Sequence, residues 1–280
     1  MTIKRKPAEK STKPAPKKSP HKQGWRLALR LIMVLVWAGA SIIVSQLAVG
    51  TIMTALLGVE TVNQPVPTAF YSALSYALAM VLIIYVPAKV TIKWRITNRA
   101  GSLTTRSERW NIDRTELGLK GLPTWTDIGL APVGLVVSLL LAAGVIWLFS
   151  FFPWFDAGQT QEVGFDLFLS GADKAVAFLT LVVIAPIAEE VIFRGWLYGK
   201  LRARTSASMS GALSVVLSAL LVSVLFSAIH LQWNVAVNVF ALSLVLCGLR
   251  EITGTIYAGI LVHMLKNGLA FYLLYVVGIM

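Results

Sequence analysis

The residues of this sequence that could do chemistry are polar side chains set inside long apolar stretches. They are Glu189, Glu190, Arg194, His230, His263 and Asn267. Ionisable groups are costly at membrane depth, so they are rare there and usually functional. One carboxylate together with two imidazoles can activate a water molecule for hydrolysis or bind a metal ion.

Helical spacing divides these residues into groups. Residues four apart share a helix face, so Glu190 lies beside Arg194, and His263 lies beside Asn267. Glu189 is turned by about 100° from Glu190. We expect Glu190 and Arg194 to form a buried, structural ion pair. Glu189 is then left without a local partner, and an unpaired carboxylate in an apolar environment suits a general base.

Taken singly, some of these residues have a simpler interpretation. An isolated intramembrane histidine such as His230 is often a hydrogen bond between helices, and Asn267 alone could equally connect two helices. The grouping of one free carboxylate with two histidines favours a hydrolytic or metal-binding site over separate coincidences.

Composition identifies the environment of these residues. The chain has 280 residues, is 56% hydrophobic and 14% charged, and its mean hydropathy is +0.73. Soluble domains are about 25% charged. Several continuous apolar runs reach the roughly 20 residues that span a bilayer. The sequence therefore predicts an all-α polytopic membrane protein, and a soluble all-α protein with an unusually large core is the alternative.

We predict about seven transmembrane helices, within a range of six to eight, and a catalytic cavity between helices 4, 5 and 7. The predicted spans are about 27–47 (with an extension to 57 left open), 69–90, 128–152, 175–198, 212–229, 235–249 and 256–279. These spans contain a conflict. Straight helices would put Glu189 near the inner end of the fourth span and His230 near the outer end of the fifth.

The formal net charge of +12 is unevenly distributed. Residues 1–24 are predicted to be a disordered basic cytoplasmic tail, and residues 25–124 to hold N-terminal transmembrane helices with a basic cytoplasmic loop. The basic 199–204 segment is also predicted to be cytoplasmic, and the acidic 153–174 loop is predicted to lie on the outer side of the membrane. This pattern indicates membrane topology and a lipid bilayer as partner, and no nucleic acid. Without an organelle-targeting pattern, we expect a prokaryotic plasma membrane.

The order of three motifs resembles a known family. Glu189-Glu190-x-x-x-Arg194, Phe226-x-x-x-His230 and His263-x-x-x-Asn267 lie on separate hydrophobic helices. In this order they resemble the CAAX protease and bacteriocin-processing (abortive-infection) family of intramembrane proteases. The resemblance covers about residues 120–280, and it implies that residues 125–280 are the protease core.

The resemblance implies an endopeptidase that acts on membrane-associated, CAAX-like substrates. It implies that Glu189 with His230 activates water, and that His263 and Asn267 stabilise the oxyanion. Glu190, Arg194 and Phe226 would be supporting residues.

Two questions remain open from the sequence. Glu189, His230 and His263 could hold a divalent metal such as Zn²⁺ with a position open for water, or they could act without a metal. A non-catalytic membrane binding or immunity protein is an alternative function. A proton-coupled transporter is a weaker one, because no internal repeat is visible.

Overall fold

The computed structural model describes residues 20–89, 92–97, 103–108, 110–156, 165 and 170–278. Within these residues, seven helices are long and apolar enough to cross a membrane, which confirms the helical, polytopic fold. The seven spans are Gly24–Leu57, Pro65–Lys89, Trp125–Phe149, Gly171–Ser206, Gly211–Ala228, Trp233–Thr253 and Tyr257–Val277.

Several spans combine α-helical and π-helical segments. The α-helices are α1 (Pro20–Leu57), α2 (Val59–Val62), α3 (Pro65–Met80), α4 (Val86–Lys89), α5 (Trp125–Phe149), α6 (Gly171–Phe178), α7 (Ala185–Glu189), α8 (Tyr198–Ser206), α9 (Gly211–Ala228), α10 (Trp233–Thr253) and α11 (Tyr257–Tyr272). The π-helical segments are Val81–Tyr85, Leu179–Ile184, Glu190–Leu197 and Leu273–Val277.

The basic segment after the second span departs from the all-α prediction. Strands β1 (Ile92–Thr97) and β2 (Leu103–Glu108) form an antiparallel pair, with Ile92 opposite Glu108. β1 alternates apolar and polar residues (Ile92, Trp94 and Ile96 with Lys93, Arg95 and Thr97), a signal for a strand that the sequence analysis missed, whereas β2 is polar after Leu103. The predicted disordered tail lies outside the described residues up to position 19, and from Pro20 the chain is helical.

Two helix starts are fixed by side-chain caps. Thr124 and Asp127 form a reciprocal capping box at the start of the third span. The other carboxylate oxygen of Asp127 accepts a hydrogen bond from the Thr255 hydroxyl at 2.9 Å, just before α11. Ser170 caps the fourth span by accepting from the backbone N–H of Asp173 at 3.3 Å. The Asp127 contacts also connect the third span to the seventh.

The fourth span is longer than predicted, and this resolves the conflict in depth. It continues past Tyr198 to Ser206 as α8, because Lys200 and Arg202 bind acidic partners, Glu116 and Glu251. Glu189 therefore lies 17 residues before the end of this span, and His230 lies 19 residues after the start of α9. At about 1.5 Å per residue, these two antiparallel positions are at nearly the same depth.

The core lies where the fourth, fifth and sixth spans meet. Trp196, Phe193, Phe226 and Leu246 are almost fully buried. The sixth span, α10, packs against both α5 and α9, and α11 packs against α5. On the other side of the bundle α1 packs against α3, and α3 contacts α7, which brings the second span next to the paired glutamates.

Gly195 and Gly199 show the close-packing pattern expected of a helix–helix contact, but they pack against an irregular segment instead. A Cβ at Gly199 would lie 2.5 Å from the backbone carbonyl oxygen of Glu116, and one at Gly195 would lie 3.1 Å from that of Leu117. The sequence Leu117-Gly118-Leu119 suggests a short surface-lying piece, and in the structure the Leu117 side chain is buried in the core. The two glycines therefore let residues 113–119 lie directly on the fourth span.

Polar contacts secure this docked segment. The Lys200 ammonium donates to the Glu116 carboxylate at 2.6 Å and to the Asn111 carbonyl at 2.9 Å. The Arg250 guanidinium donates to the Glu116 carbonyl at 3.0 Å. The backbone N–H of Ile256 donates to the Gly118 carbonyl at 3.1 Å. The segment thus connects the fourth, sixth and seventh spans at one end of the bundle.

We expect Gly199→Ala to destabilise the protein, because the added methyl group would collide with the Glu116 backbone. Overpacking of this kind costs about 1–3 kcal/mol. Thermal unfolding in detergent measures the effect. Gly144→Ala in α5 is the matched control, since a Cβ there meets no atom within 4 Å. Equal melting temperatures for the two variants would contradict the docking of residues 113–119 on Gly199.

Candidate active site

The paired glutamates lie at a junction between two kinds of helix. Glu189 ends α7 and Glu190 begins the π-helical segment that runs to Leu197. Such segments are often found at functional sites. Irregular backbone at membrane depth is tolerated where protein buries it, and Glu189 and Glu190 are both buried.

Glu190 and Arg194 form the buried ion pair that the sequence predicts. Glu190 Oε1 lies 2.8 Å from Arg194 Nη1, and both side chains are 0% exposed. The same oxygen lies 3.0 Å from His263 Nδ1. A carboxylate can only accept a hydrogen bond, so His263 Nδ1 carries the donated hydrogen. The ion pair therefore also fixes the orientation of His263.

The second nitrogen of His263 faces the other glutamate. His263 Nε2 lies 3.7 Å from Glu189 Oε2, slightly beyond a direct hydrogen bond. The imidazole is thus held between the two carboxylates, with Glu190 at one edge and Glu189 at the other.

Glu189 has a partner that the sequence analysis missed. Its Oε1 accepts a hydrogen bond from the hydroxyl of Tyr76, which comes from the second span. The Glu189 carboxylate is therefore not unpaired, and its partner comes from a distant span rather than from neighbouring residues in the chain. A tyrosine in the middle of an apolar span was the available signal, because a buried tyrosine hydroxyl usually finds a hydrogen-bond partner.

His230 follows the end of α9, in a turn where Leu231 adopts a positive φ of 56°. His230 Nδ1 lies 2.7 Å from the Phe226 carbonyl oxygen, so this nitrogen donates and Nε2 is the acceptor of the neutral ring. Burial lowers the pKa of His230, and the nearby Glu189 carboxylate opposes that shift. Glu189 is within electrostatic range of His230 rather than hydrogen-bonded to it.

Phe226 connects the groups of the site. Its fully buried ring lies 5.1 Å from the His230 ring and 6.0 Å from the His263 ring, centroid to centroid. The guanidinium carbon of Arg194 lies 4.3 Å from the centre of the same ring. This cation–π contact matters because Arg194 Nε and Nη2 have no hydrogen-bond partner among the described residues. Phe226 thus holds both imidazoles and the arginine in place.

Asn267 joins the seventh span to the fourth. Its Nδ2 donates to the carbonyl oxygen of Leu181 at 2.9 Å. In the π-helical pattern, where Ala185 N–H donates to the Thr180 carbonyl, the Leu181 carbonyl would pair with residue 186. Residue 186 is proline and has no N–H, so Asn267 satisfies the carbonyl that Pro186 leaves free. Its second amide hydrogen is not used in this contact.

Lys266 is a second residue that the sequence analysis missed. It is half-buried, lies between His263 and Asn267 on α11, and is within electrostatic range of both Glu189 and His230. A lysine in an apolar span three residues after His263 was the signal that could have identified it.

The predicted cavity between helices 4, 5 and 7 has to be extended to the N-terminal spans. Tyr76 is on the second span, and a cavity next to it is lined by the first, second and fourth spans and by Ile229 after the fifth. The sequence could not assign these spans to the site, because their apolar helices carry no diagnostic motif.

The proposed metal ligands Glu189, His230 and His263 do not converge on a metal-sized site. Within the part of the chain that the structure describes, no three His, Cys, Asp or Glu side chains are grouped to hold a metal ion. The arrangement instead offers Glu189, with Tyr76 on one oxygen, and two imidazole Nε2 atoms in its neighbourhood.

Comparison with known proteins gives a family match over part of the chain. No curated protein and no solved structure matches the chain. Residues 171–269 match the family model described as type II CAAX prenyl endopeptidase Rce1-like. The matched range contains Glu189, Glu190, Arg194 and the two motifs that end in His230 and Asn267. Residues 171–269, about a third of the chain, are thus similar to the type II CAAX prenyl endopeptidase Rce1-like family, which agrees with the resemblance that the three motifs indicate.

Proposed function

We propose that this protein is an intramembrane endopeptidase that hydrolyses peptide bonds of membrane-associated substrates with a water activated by Glu189 and His230. One observation carries the proposal. The Glu189 carboxylate faces His263 Nε2 across a 3.7 Å gap, while the buried Glu190–Arg194 pair fixes the other edge of that imidazole. The Rce1-like match over the same residues supports the peptidase class.

Each residue has a role in the proposed reaction. Glu189 removes one proton from the water. His230 Nε2 accepts a hydrogen bond from the other water hydrogen and so orients the oxygen for attack on the peptide carbonyl. In its doubly protonated form, His263 keeps its Nδ1–H on Glu190 and donates Nε2–H to the oxyanion that forms, together with the second amide hydrogen of Asn267. Glu189 then delivers its proton to the leaving amine, and the C–N bond breaks. Peptide and water are consumed, and two shorter peptides result.

Tyr76 holds Glu189 in this mechanism. Its hydroxyl occupies Oε1 and leaves Oε2, which faces His263, for the water. Phe226, Arg194 and Glu190 fix the imidazoles without contacting the substrate.

The two adjacent glutamates should respond differently to the same substitution. We expect Glu189→Gln to reduce cleavage by about 10²–10⁴-fold with little change in stability, because a general base is lost while the Tyr76 contact can remain. We expect Glu190→Gln to lower stability by about 3–5 kcal/mol, because Arg194 is left buried without a counter-charge. Thermal unfolding in detergent measures stability.

Activity is measured with purified protein in liposomes, mixed with a solubilised membrane proteome whose new peptide termini are labelled and identified by mass spectrometry. Glu60→Gln, at an exposed position in α2, is the matched control and should behave as the wild type. Undiminished cleavage by Glu189→Gln would refute the mechanism. An absence of new termini with the wild type would favour the non-catalytic binding protein instead.

We expect Tyr76→Phe to lower kcat by up to about a hundredfold while KM stays nearly constant, because Glu189 loses the donor that positions it. Tyr85→Phe, on the same span and exposed, removes the same atom away from the site and serves as the control. Steady-state kinetics on a peptide identified in the proteome experiment gives both constants. A loss confined to KM would assign Tyr76 to substrate binding rather than to positioning Glu189.

Removing metal ions with a chelator tests whether Glu189, His230 and His263 act on water without a metal ion. Because the three proposed donors do not converge, we expect dialysis against a strong chelator to leave the initial rate unchanged. The measurement is the cleavage rate before and after chelation, with metal content followed by mass spectrometry. Loss of activity that added Zn²⁺ restores would show that substrate draws these donors together around a metal.

A further inference from the structure

The second span carries a polar stripe on a largely apolar helix. Tyr71, Ser72, Ser75 and Tyr76 lie on α3 and line a partly enclosed cavity of about 90 Å³ between the first, second and fourth spans. Residues three and four apart share a helix face, so Ser72, Ser75 and Tyr76 lie on the same side of α3. Gln46 of the first span adds a further polar side chain to the lining. The cavity is therefore polar along one side, although the spans around it are apolar.

Ser75 lines this cavity with a hydroxyl group that has no protein partner. The residue is 6% exposed, and its hydroxyl oxygen makes no hydrogen bond to any described residue. Buried polar groups are normally paired, either with protein atoms or with ordered water. The Ser75 hydroxyl therefore lacks a partner that is small enough to enter the cavity.

Tyr76, which follows Ser75 in the chain, connects the cavity to Glu189. Tyr76 lines the cavity and donates its hydroxyl hydrogen to Glu189 Oε1. A phenolic oxygen that donates its hydrogen can still accept a hydrogen bond. An occupant that donates to Tyr76 thus acts on Glu189 through this hydroxyl group, without touching the carboxylate itself.

The volume and the lining chemistry of the cavity both favour water as the occupant. A water molecule takes up about 30 Å³ in the liquid, so a cavity of about 90 Å³ holds about three of them. Empty cavities are apolar, whereas a buried water needs roughly two to four polar partners. Gln46, Ser72, Ser75 and the two tyrosines provide such partners. A lipid chain has no polar group along its length and would leave the Ser75 hydroxyl unpaired.

We propose that this cavity is a hydration site whose water molecules connect Ser75 to Tyr76 and, through Tyr76, to Glu189. One water donates to the Tyr76 oxygen, and the Ser75 hydroxyl binds that water or its neighbour. Hydrogen bonds in such a chain polarise one another, so the water strengthens the bond that Tyr76 donates to Glu189. Ser75 is then a positioning residue for the proposed general base. This role rests on the proposed peptidase function, whereas the presence of water does not.

Hydroxyl-radical labelling in heavy-oxygen water tests for the water directly. A short X-ray pulse converts bound water to radicals that modify adjacent side chains, and mass spectrometry locates the heavy oxygen. In full-length protein in liposomes, we expect Tyr76 to be labelled faster than Tyr275, which is buried and does not line the cavity. Ala79→Leu fills the cavity and should lower the labelling of Tyr76 to the rate of Tyr275. Ala77→Leu, at an exposed position of the same helix, is the matched control and should leave the labelling unchanged.

Steady-state kinetics on a cleaved peptide tests the connection to Glu189. We expect Ala79→Leu to lower kcat about tenfold with KM nearly constant, and Ser75→Ala to lower kcat by a smaller factor. Ser75→Thr keeps the hydroxyl and should restore kcat. In protein that already carries Tyr76→Phe, neither Ala79→Leu nor Ser75→Ala should lower kcat further, because the hydroxyl through which the water acts is gone. A general packing defect would lower kcat by the same factor with and without the Tyr76 hydroxyl.

The outcomes separate the hydration site from the peptidase. Equal labelling of Tyr76 in the wild type and in Ala79→Leu overturns the hydration site, whether or not peptides are cleaved. Cleavage of no peptide by the wild type, with Tyr76 labelled as expected, overturns the peptidase and the positioning role of Ser75 but supports the water. Labelling as expected with independent losses of kcat overturns the connection through Tyr76. If the melting temperature shows that Ala79→Leu does not fold, Ser75→Ala decides, since it removes only the hydroxyl oxygen, and unchanged labelling with unchanged kcat overturns the proposal.

Discussion

The ion pair between Glu190 and Arg194 is the interaction on which the rest of the site depends. Both side chains are fully buried, so each would carry an uncompensated charge without the other. Glu190 Oε1 also accepts from His263, and the Arg194 guanidinium also lies over the Phe226 ring. Burying these two charges costs desolvation free energy. The resulting ion pair fixes the orientation of the imidazole that faces Glu189.

The change from α-helix to π-helix within the fourth span lets both glutamates approach His263. In a regular α-helix, neighbouring residues differ by about 100° in direction, which would separate two adjacent carboxylates. At the junction between α7 and the π-helical segment, both Glu189 and Glu190 approach the same histidine. Pro186 contributes by leaving the Leu181 carbonyl free, and Asn267 binds this carbonyl from the seventh span. One interruption thus positions the carboxylates and anchors the helix that carries His263.

The molecule divides the site between two parts of the chain. Residues 171–269 match the family model and contain the glutamates, the arginine and both histidines. The second span contributes Tyr76, whose hydroxyl contacts Glu189, and the first two spans supply walls of the neighbouring cavity. Helices inside and outside the matched range therefore both contribute side chains to the site.

The sequence by itself determined the membrane environment, the seven apolar helices and the pairing of Glu190 with Arg194, since composition and spacing of four along a helix are local properties. Its three motifs also indicated the family whose model matches residues 171–269. Only the tertiary structure showed that the fourth span extends to Ser206, which places Glu189 and His230 at one depth. Only the tertiary structure brought Tyr76 to Glu189, residues 113–119 onto Gly199, and Asn267 to Leu181. Contacts between residues far apart in the chain depend on how helices pack, and a single sequence carries no periodic signal for them.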